Sequence, residues 1–170
     1  MKVEVVPAPP ESAELITQLM EQYVAEFVEA YGSQVEVRVP MDLAGLRAYF
    51  WTPGRHPFLV TVDELLAGFA LVVERGLLSA GDPGHVVGEF FLAPGHRRRG
   101  VGEAAARALF RQFPGIWEVA WHGANSVAAL FWTAVIGRYL AAPAEVHPCA
   151  WDEAGLSIVF AASSPLPMVS

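Results

Sequence analysis

Cysteine, basic charge and long apolar runs are all scarce in this chain. Among its 170 residues Cys149 is the single cysteine, which excludes an intramolecular disulfide and a cysteine-rich zinc site and suits a reducing compartment. Lysine and arginine together number 11 against 18 acidic residues, a formal net charge of −7. A polyanion partner would select a basic surface, so general binding of nucleic acid is not expected. The apolar stretch from Val127 to Ala142 is broken by Gly137 and Arg138, and Met1–Pro7 has no extended apolar core. Neither reads as a membrane span or a secretory signal, so a soluble, cytoplasmic protein is expected. There is no internal repeat and no linker. With 54% hydrophobic residues, one domain over 1–162 followed by a disordered tail over 163–170 is the economical reading.

What the chain does hold is a sharp change of texture after residue 85. The run Glu89-Phe-Phe-Leu-Ala-Pro-Gly-His-Arg97-Arg-Arg-Gly100-Val-Gly102-Glu103 passes from an apolar strand, through a basic turn, into an alanine-rich helix. The first turn of a helix has backbone N–H groups without intrahelical partners and a partial positive charge, so such a turn suits an anion. Gly100 and Gly102 lack the Cβ that would hold a diphosphate off the backbone. The run is not a Walker loop, and it lacks the first glycine of the dinucleotide fingerprint. Taken alone, three arginines are equally a solvated surface turn.

Periodicity and punctuation predict a strand at Lys2–Val6, then a helix that Ser12 can cap and Gly32 ends, with Leu15, Ile16, Leu19, Met20, Tyr23 and Phe27 at helical spacing. A shorter helix over Asp42–Phe50 has Asp42 as its cap. Pro57–Val62 and Gly68–Val73 read as a hairpin turning at Asp63-Glu64, and Val86–Leu92 as the next strand. Along that strand, alternation places Val87, Glu89 and Phe91 on one face. A helix from Val101 stops before Pro114-Gly115, and Ile116–Trp121 is a strand. A last helix, capped by Asn125 or Ser126, has Val127, Leu130, Phe131, Ala134 and Val135 inward, and strands near Ala144–His147 and Leu156–Ala161 follow.

Arg97-x-x-Gly100-x-Gly102 is similar to the Arg/Gln-x-x-Gly-x-Gly/Ala signature of the GNAT superfamily, the acyl-CoA-dependent N-acetyltransferases. Asn125-Ser-Val-Ala128-Ala-Leu-Phe131-Trp132 resembles that family's Asn-x-x-Ala-x-x-Phe-Tyr segment. The β-α-α-β-β-β-α-β-α-β-β order also resembles its fold, an α/β (α+β) mixed, mostly antiparallel sheet splayed around the cofactor. The resemblance implies acetyl-CoA as acyl donor and no metal. It implies that Arg97, Arg98, Arg99, Gly100, Val101, Gly102 and Glu103 surround the pyrophosphate. Backbone groups of Phe91 and Leu92 would take the pantetheine arm and the thioester, and Asn125, Phe131 and Trp132 would flank them.

Acetyl transfer to an amine needs a neutral nucleophile, and most alkylamines are protonated near neutral pH, so a base is required. Glu89, on the strand before the turn, is the candidate; a structural carboxylate is the competing reading. His85, His96 and His122 lie near loop ends and could relay a proton. Trp132 stands where many family members carry a tyrosine, and an indole N–H is no practical acid. Tyr139 is too far along the helix to replace it, and Cys149 reads as a small buried residue. That departure keeps a second function open, a GNAT-fold sensor or interaction module that binds acyl-CoA without turnover. The acceptor is expected to be a small-molecule amine, a protein N-terminus or a lysine. The acidic residues Glu21, Glu26, Glu29, Glu36 and Asp42 would favour a cationic one, and Tyr49, Phe50 and Trp51 would make an aromatic wall or belong to the core. By family analogy a homodimer is admissible, with neither nucleic acid nor membrane as partner.

Overall fold

The computed structural model describes residues 1–32, 42–79 and 82–162. The predicted tail and Glu36 lie outside them. Strand β1 (Val3–Pro7) is followed by a 3-10 turn and helix α1 (Ala13–Tyr31), then α2 (Leu43–Trp51), β2 (Arg55–Val62), β3 (Leu65–Glu74) and β4 (His85–Leu92). Helix α3 (Val101–Phe110), β5 (Gly115–His122), α4 (Ser126–Leu140), β6 (His147–Pro148) and β7 (Gly155–Ala162) complete the order. The seven strands form one mixed sheet, β1-β2-β3-β4-β5-β7-β6, in which only β4 and β5 run parallel.

Local chemistry sets several of these boundaries. Asp42 caps α2 by accepting from the Gly45 amide at 2.8 Å. Asp63 and Glu64 both take positive φ, the two-residue turn that matches the twist of the hairpin strands. Gly32, at φ +85°, closes α1 with its amide on the Val28 carbonyl. Ser12 departs from expectation: it makes no side-chain cap, and its hydroxyl donates to the Pro9 carbonyl instead. Strand β6 is later and shorter than predicted, a two-residue outer strand whose Pro148 has no N–H to give a ladder.

The sheet carries a core on each face. Helices α3 and α4 cover one, with Phe110, Trp117, Trp132 and Ile136 buried among them. Helices α1 and α2 cover the other, over Ile16, Met20, Leu46, Phe69 and Phe91. Each fully buried large apolar side chain contributes roughly 1.5–3 kcal/mol. The inner face of α4 is Ala128, Trp132, Val135, Ile136 and Tyr139; the expected inward residues Val127 and Leu130 are 69% and 75% exposed. Because α4 is apolar almost all round, two stripes fitted its period and the aromatic one packs.

Two features of β4 position the site. Its ladder with β5 covers only His85, Val86 and Val87, so from Gly88 onward the two strands diverge. Its ladder with β3 slips at Gly88: Leu71 faces Glu89, while Val72 faces Val87. This bulge reverses the alternation. Val87 joins the α3/α4 core with Leu92, whereas Phe91 joins the α1/α2 core, so Val87 does not share a face with Phe91 as simple alternation predicts.

Candidate active site

The divergence of β4 and β5 opens a cleft of about 540 Å³ through the sheet. Its β4 wall is Val87, Gly88, Glu89 and Phe90, and its β5 wall is Ala120, Trp121 and His122. Asn125, Ala128 and Trp132 of α4 close one end. Tyr23 and Phe27 of α1, Tyr49 of α2, Arg55 of β2 and the Trp151–Ala154 segment line the rest. Beyond Val87 the β5-facing edge of β4 has no strand partner, so its backbone groups are available to an extended ligand.

Glu89 sits in this cleft. Burial pushes its carboxyl up to about 7, and the Tyr23 hydroxyl beside it opposes that shift. Burial, with the Glu89 charge adding to it, raises the Tyr23 phenol well above its ordinary value. Tyr49 is raised as well, first by burial, and its hydroxyl donates to the Val72 carbonyl at 2.6 Å, beside the bulge. Glu89 is therefore a carboxyl poised between its two states at neutral pH, with a neutral phenol next to it.

The turn before α3 has the form an anion needs. Arg98 and Gly100 both have positive φ, +57° and +79°, and no side chain caps the α3 N-terminus. The first intrahelical bond runs from the Ala104 amide to the Gly100 carbonyl, which leaves the amides of Val101, Gly102 and Glu103 without an acceptor in the helix. Gly100 is required by its backbone conformation, since a Cβ there would meet nothing within 4 Å. Gly102 is closely packed: a Cβ there would stand 3.0 Å from the Phe131 ring, which would have to shift by a few tenths of an ångström.

The remaining expected residues divide by their contacts. Arg97 turns back onto the strand: Nε donates to the Leu92 carbonyl at 2.8 Å, Nη2 pairs with Glu26 at 2.7 Å, and the guanidinium lies over the Phe91 ring. It ties the turn to β4 and α1, leaving Arg98 and Arg99 exposed at the turn. Glu103 binds Arg107 and Arg138, and the Arg138 hydrogen bond above all holds its carboxyl below the usual range. Asn125 caps α4 through the Ala128 amide at 2.9 Å and also accepts from the Tyr31 hydroxyl at 3.1 Å. Phe131 stacks near Phe90, and Trp132 is buried between Phe90 and Phe110 while lining the cleft.

Other expectations fall elsewhere. His122 lines the cleft, with Nδ1 accepting from the Ala124 amide, whereas His85 and His96 do not line it. Tyr139 packs on Phe110 and Phe160 and does not line the cleft, and Cys149 is buried. Of the expected acidic rim, the described residues Glu21, Glu26, Glu29 and Asp42 do not line the cleft: Glu26 is engaged by Arg97 and Asp42 caps α2. The acids there are Glu89, Asp152 and Glu153. Tyr49 is a wall, but Trp51 is 76% exposed and, with Phe50, lines a separate surface groove. Tyr23, Arg55, Trp121 and Trp151 are the residues the sequence did not flag. The only sequence sign was aromatics with a polar tip on inward stripes.

Residues 16–132 match the family profile described as Acetyltransferase (GNAT) family. The chain belongs to that family. No curated protein sequence matches it, but solved structures do. An acetyltransferase from Thermus thermophilus aligns over 95% of this chain and 97% of its own, with 16% identity and a TM-score of 0.70. A GNAT-family acetyltransferase from Streptococcus agalactiae aligns over 94% and 95%, at 13% identity and TM-score 0.70. The aminoglycoside acetyltransferase AAC(6')-Ib, in complex with coenzyme A and kanamycin, gives the same coverage, identity and TM-score. Among the described residues, no helix is long and apolar enough to cross a membrane.

Proposed function

We propose that the protein is an N-acetyltransferase that moves an acetyl group from acetyl-CoA to a primary amine by direct attack in a ternary complex. The observation that carries this reading is Glu89, a carboxyl raised to about 7 in the cleft where β4 leaves β5. The pyrophosphate of acetyl-CoA would lie on the uncapped α3 N-terminus between Arg98 and Arg99. Its pantetheine arm would pair with the free edge of β4, with amides of Phe91 and Leu92 near the thioester and Asn125, Phe131 and Trp132 alongside. Glu89 takes a proton from the incoming ammonium, directly or through one water. The amine nitrogen then bonds to the acyl carbon while an N–H at the edge of β4 stabilises the oxyanion; the C–S bond breaks as the intermediate collapses, and the nitrogen's second proton passes, directly or through water, to the departing thiolate. A thiolate is a weak base, so departure does not demand a strong acid.

The cleft also bears on the acceptor. Arg55 reaches it with its guanidinium 5.0 Å from the Tyr49 ring centre, and among the described residues it has no carboxylate partner. The buried Nε1 atoms of Trp121 and Trp151 also lack hydrogen-bond partners. Arg55 offers a donor to an oxygen acceptor on the amine, while the cleft acids Glu89, Asp152 and Glu153 favour positive charge on it. Release of free CoA on incubating the protein and acetyl-CoA with matched amines, with and without a carboxylate, tests the reading. Amine-dependent release is expected. Saturable acetyl-CoA binding with no release for any amine would instead mark a non-catalytic acyl-CoA sensor.

A further inference from the structure

Away from the cleft, three side chains from adjacent strands meet on the α3-covered face of the sheet: His56 of β2, Glu74 of β3 and His85 of β4. A nitrogen of each imidazole and a Glu74 carboxylate oxygen all lie within 4.8 Å of one another, and His56 Nε2 is 3.6 Å from Glu74 Oε1. Strand pairing fixes this grouping. His85 lies directly opposite Glu74, and His56 faces Val72, two residues back along β3. Phe113 backs the cluster, stacked on the His85 ring at 4.1 Å and tilted against the His56 ring at 4.8 Å.

Two nitrogens of this cluster are unsatisfied. His56 Nε2 and His85 Nδ1 are both buried from solvent without a hydrogen-bond partner. Buried imidazole nitrogens ordinarily find a donor, an acceptor or a metal. A His56–Glu74 ion pair would engage at most one of them and leave His85 Nδ1 unmet. One ion bound by both imidazoles and the carboxylate would satisfy all three groups together.

The geometry points to a divalent transition-metal site made by His56, Glu74 and His85, with Zn2+ as the best-matched ion. Two neutral imidazoles and one carboxylate form a zinc donor set that leaves a fourth, tetrahedral position for water. Metal–ligand bonds of about 2.0–2.1 Å place tetrahedral ligand atoms about 3.4 Å apart. The His56–Glu74 separation is near that already, and Glu74, whose side chain is 52% exposed, is free to swing and close the rest. Ligands carried on three paired strands are held more rigidly than ligands on loops. Hard cations such as Mg2+ prefer all-oxygen shells and are not expected here.

The expectation of no metal followed from the lone cysteine and the family resemblance. These ligands are far apart in the chain and converge only through sheet register. His85 precedes Glu89 by four residues, about 13 Å at strand rise, and the cluster faces α3 whereas Glu89 faces α1 and α2. The ion would fasten β2, β3 and β4 at the end where β4 and β5 remain paired. It takes no part in acetyl transfer.

The test uses untagged full-length protein freed of metal with EDTA and exchanged into metal-free buffer. Calorimetric titration with ZnCl2 should give one ion per chain with a micromolar or tighter Kd. Thermal unfolding at zinc well above that Kd should shift upward by several degrees, with no shift from MgCl2. Co2+ should give the visible absorption of a four-coordinate site. His56→Ala and Glu74→Gln should each weaken zinc binding by at least about tenfold, and His147→Ala, at an exposed pair with Glu145, should leave it unchanged. Glu74→Gln, at a half-exposed position, keeps the test usable if a histidine variant does not fold. Absence of stoichiometric zinc uptake, or uptake equal in wild type, His56→Ala and Glu74→Gln, would overturn the assignment.

Discussion

The two halves of β4 have opposite fates. His85, Val86 and Val87 are laddered on both sides, to β3 and to β5, and their surroundings are closed by Trp117 and Val119. Glu89 through Leu92 are laddered to β3, with Gly88 bulged at the junction, and have no partner on the β5 side, where the cleft opens. One half gives rigidity, and the other leaves backbone groups and a perturbed carboxyl open to the cleft.

The largest effect should come from the open half. Glu89→Gln is expected to lower amine-dependent acetyl transfer at pH 7 by about 10²-fold or more, the usual range for a general base, with acetyl-CoA affinity within about twofold. Steady-state rates and calorimetry measure the two separately. Undiminished transfer would remove Glu89 from the chemistry and make the open half a binding edge alone.

Next, the closed half should answer in stability. A Cβ on Gly84, which has φ +117°, would stand 2.4 Å from the Ile116 carbonyl, where β4 enters its pairing with β5. Gly84→Ala should destabilise the fold by about 2–3 kcal/mol, read by urea unfolding. A neutral result would mean that the paired end is looser than its geometry.

A comparable effect of opposite sign belongs to Glu89. Its folded-state carboxyl, about 7, lies above the ordinary 4.5, so the protonated form is favoured by folding. The associated stability is complete below about pH 4.5 and is lost as pH rises through 7. Glu89→Gln escapes that loss. Its stability relative to wild type should rise between pH 5 and pH 8, by up to about 2.5 kcal/mol before the screening by cleft water is subtracted. Unfolding midpoints at the two pH values check the sign, and a pH-independent difference would mean that Glu89 titrates normally.

The smallest effect concerns the turn that follows the open half. Arg98→Glu should weaken acetyl-CoA binding by about tenfold, the weight of one charge-assisted phosphate contact, while leaving the unfolding midpoint nearly unchanged. Equal affinity would place the diphosphate elsewhere.

Much of the fold was legible because single residues enforce it locally: Asp42 at its cap, Asp63-Glu64 at their turn, Gly32 at a helix end. The turn before α3 was legible for the same reason, since Gly100 takes positive φ. Four features escaped. The bulge at Gly88 inverts the faces of β4, and nothing in a glycine marks whether it merely sits in a strand or adds a residue to one. Helix α4 presents apolar side chains on nearly every side, so sequence period alone did not choose between the Val127/Leu130 and Trp132/Ile136 stripes. Arg97 fits the family pattern by position, yet its guanidinium is spent on Leu92, Glu26 and the Phe91 ring. Tyr23, Arg55 and Trp151 reach the cleft from three separate segments, and only the packing of the sheet brings them to Glu89.

The contrast between the halves of β4 is tested most directly by backbone amide NMR during titration with acetyl-CoA. Saturable shifts are expected at Phe91, Leu92 and Arg98–Gly102, with His85, Val86 and Val87 nearly still. Saturable shifts confined to His85–Val87, or no saturable shift anywhere on β4 and the turn, would contradict the account.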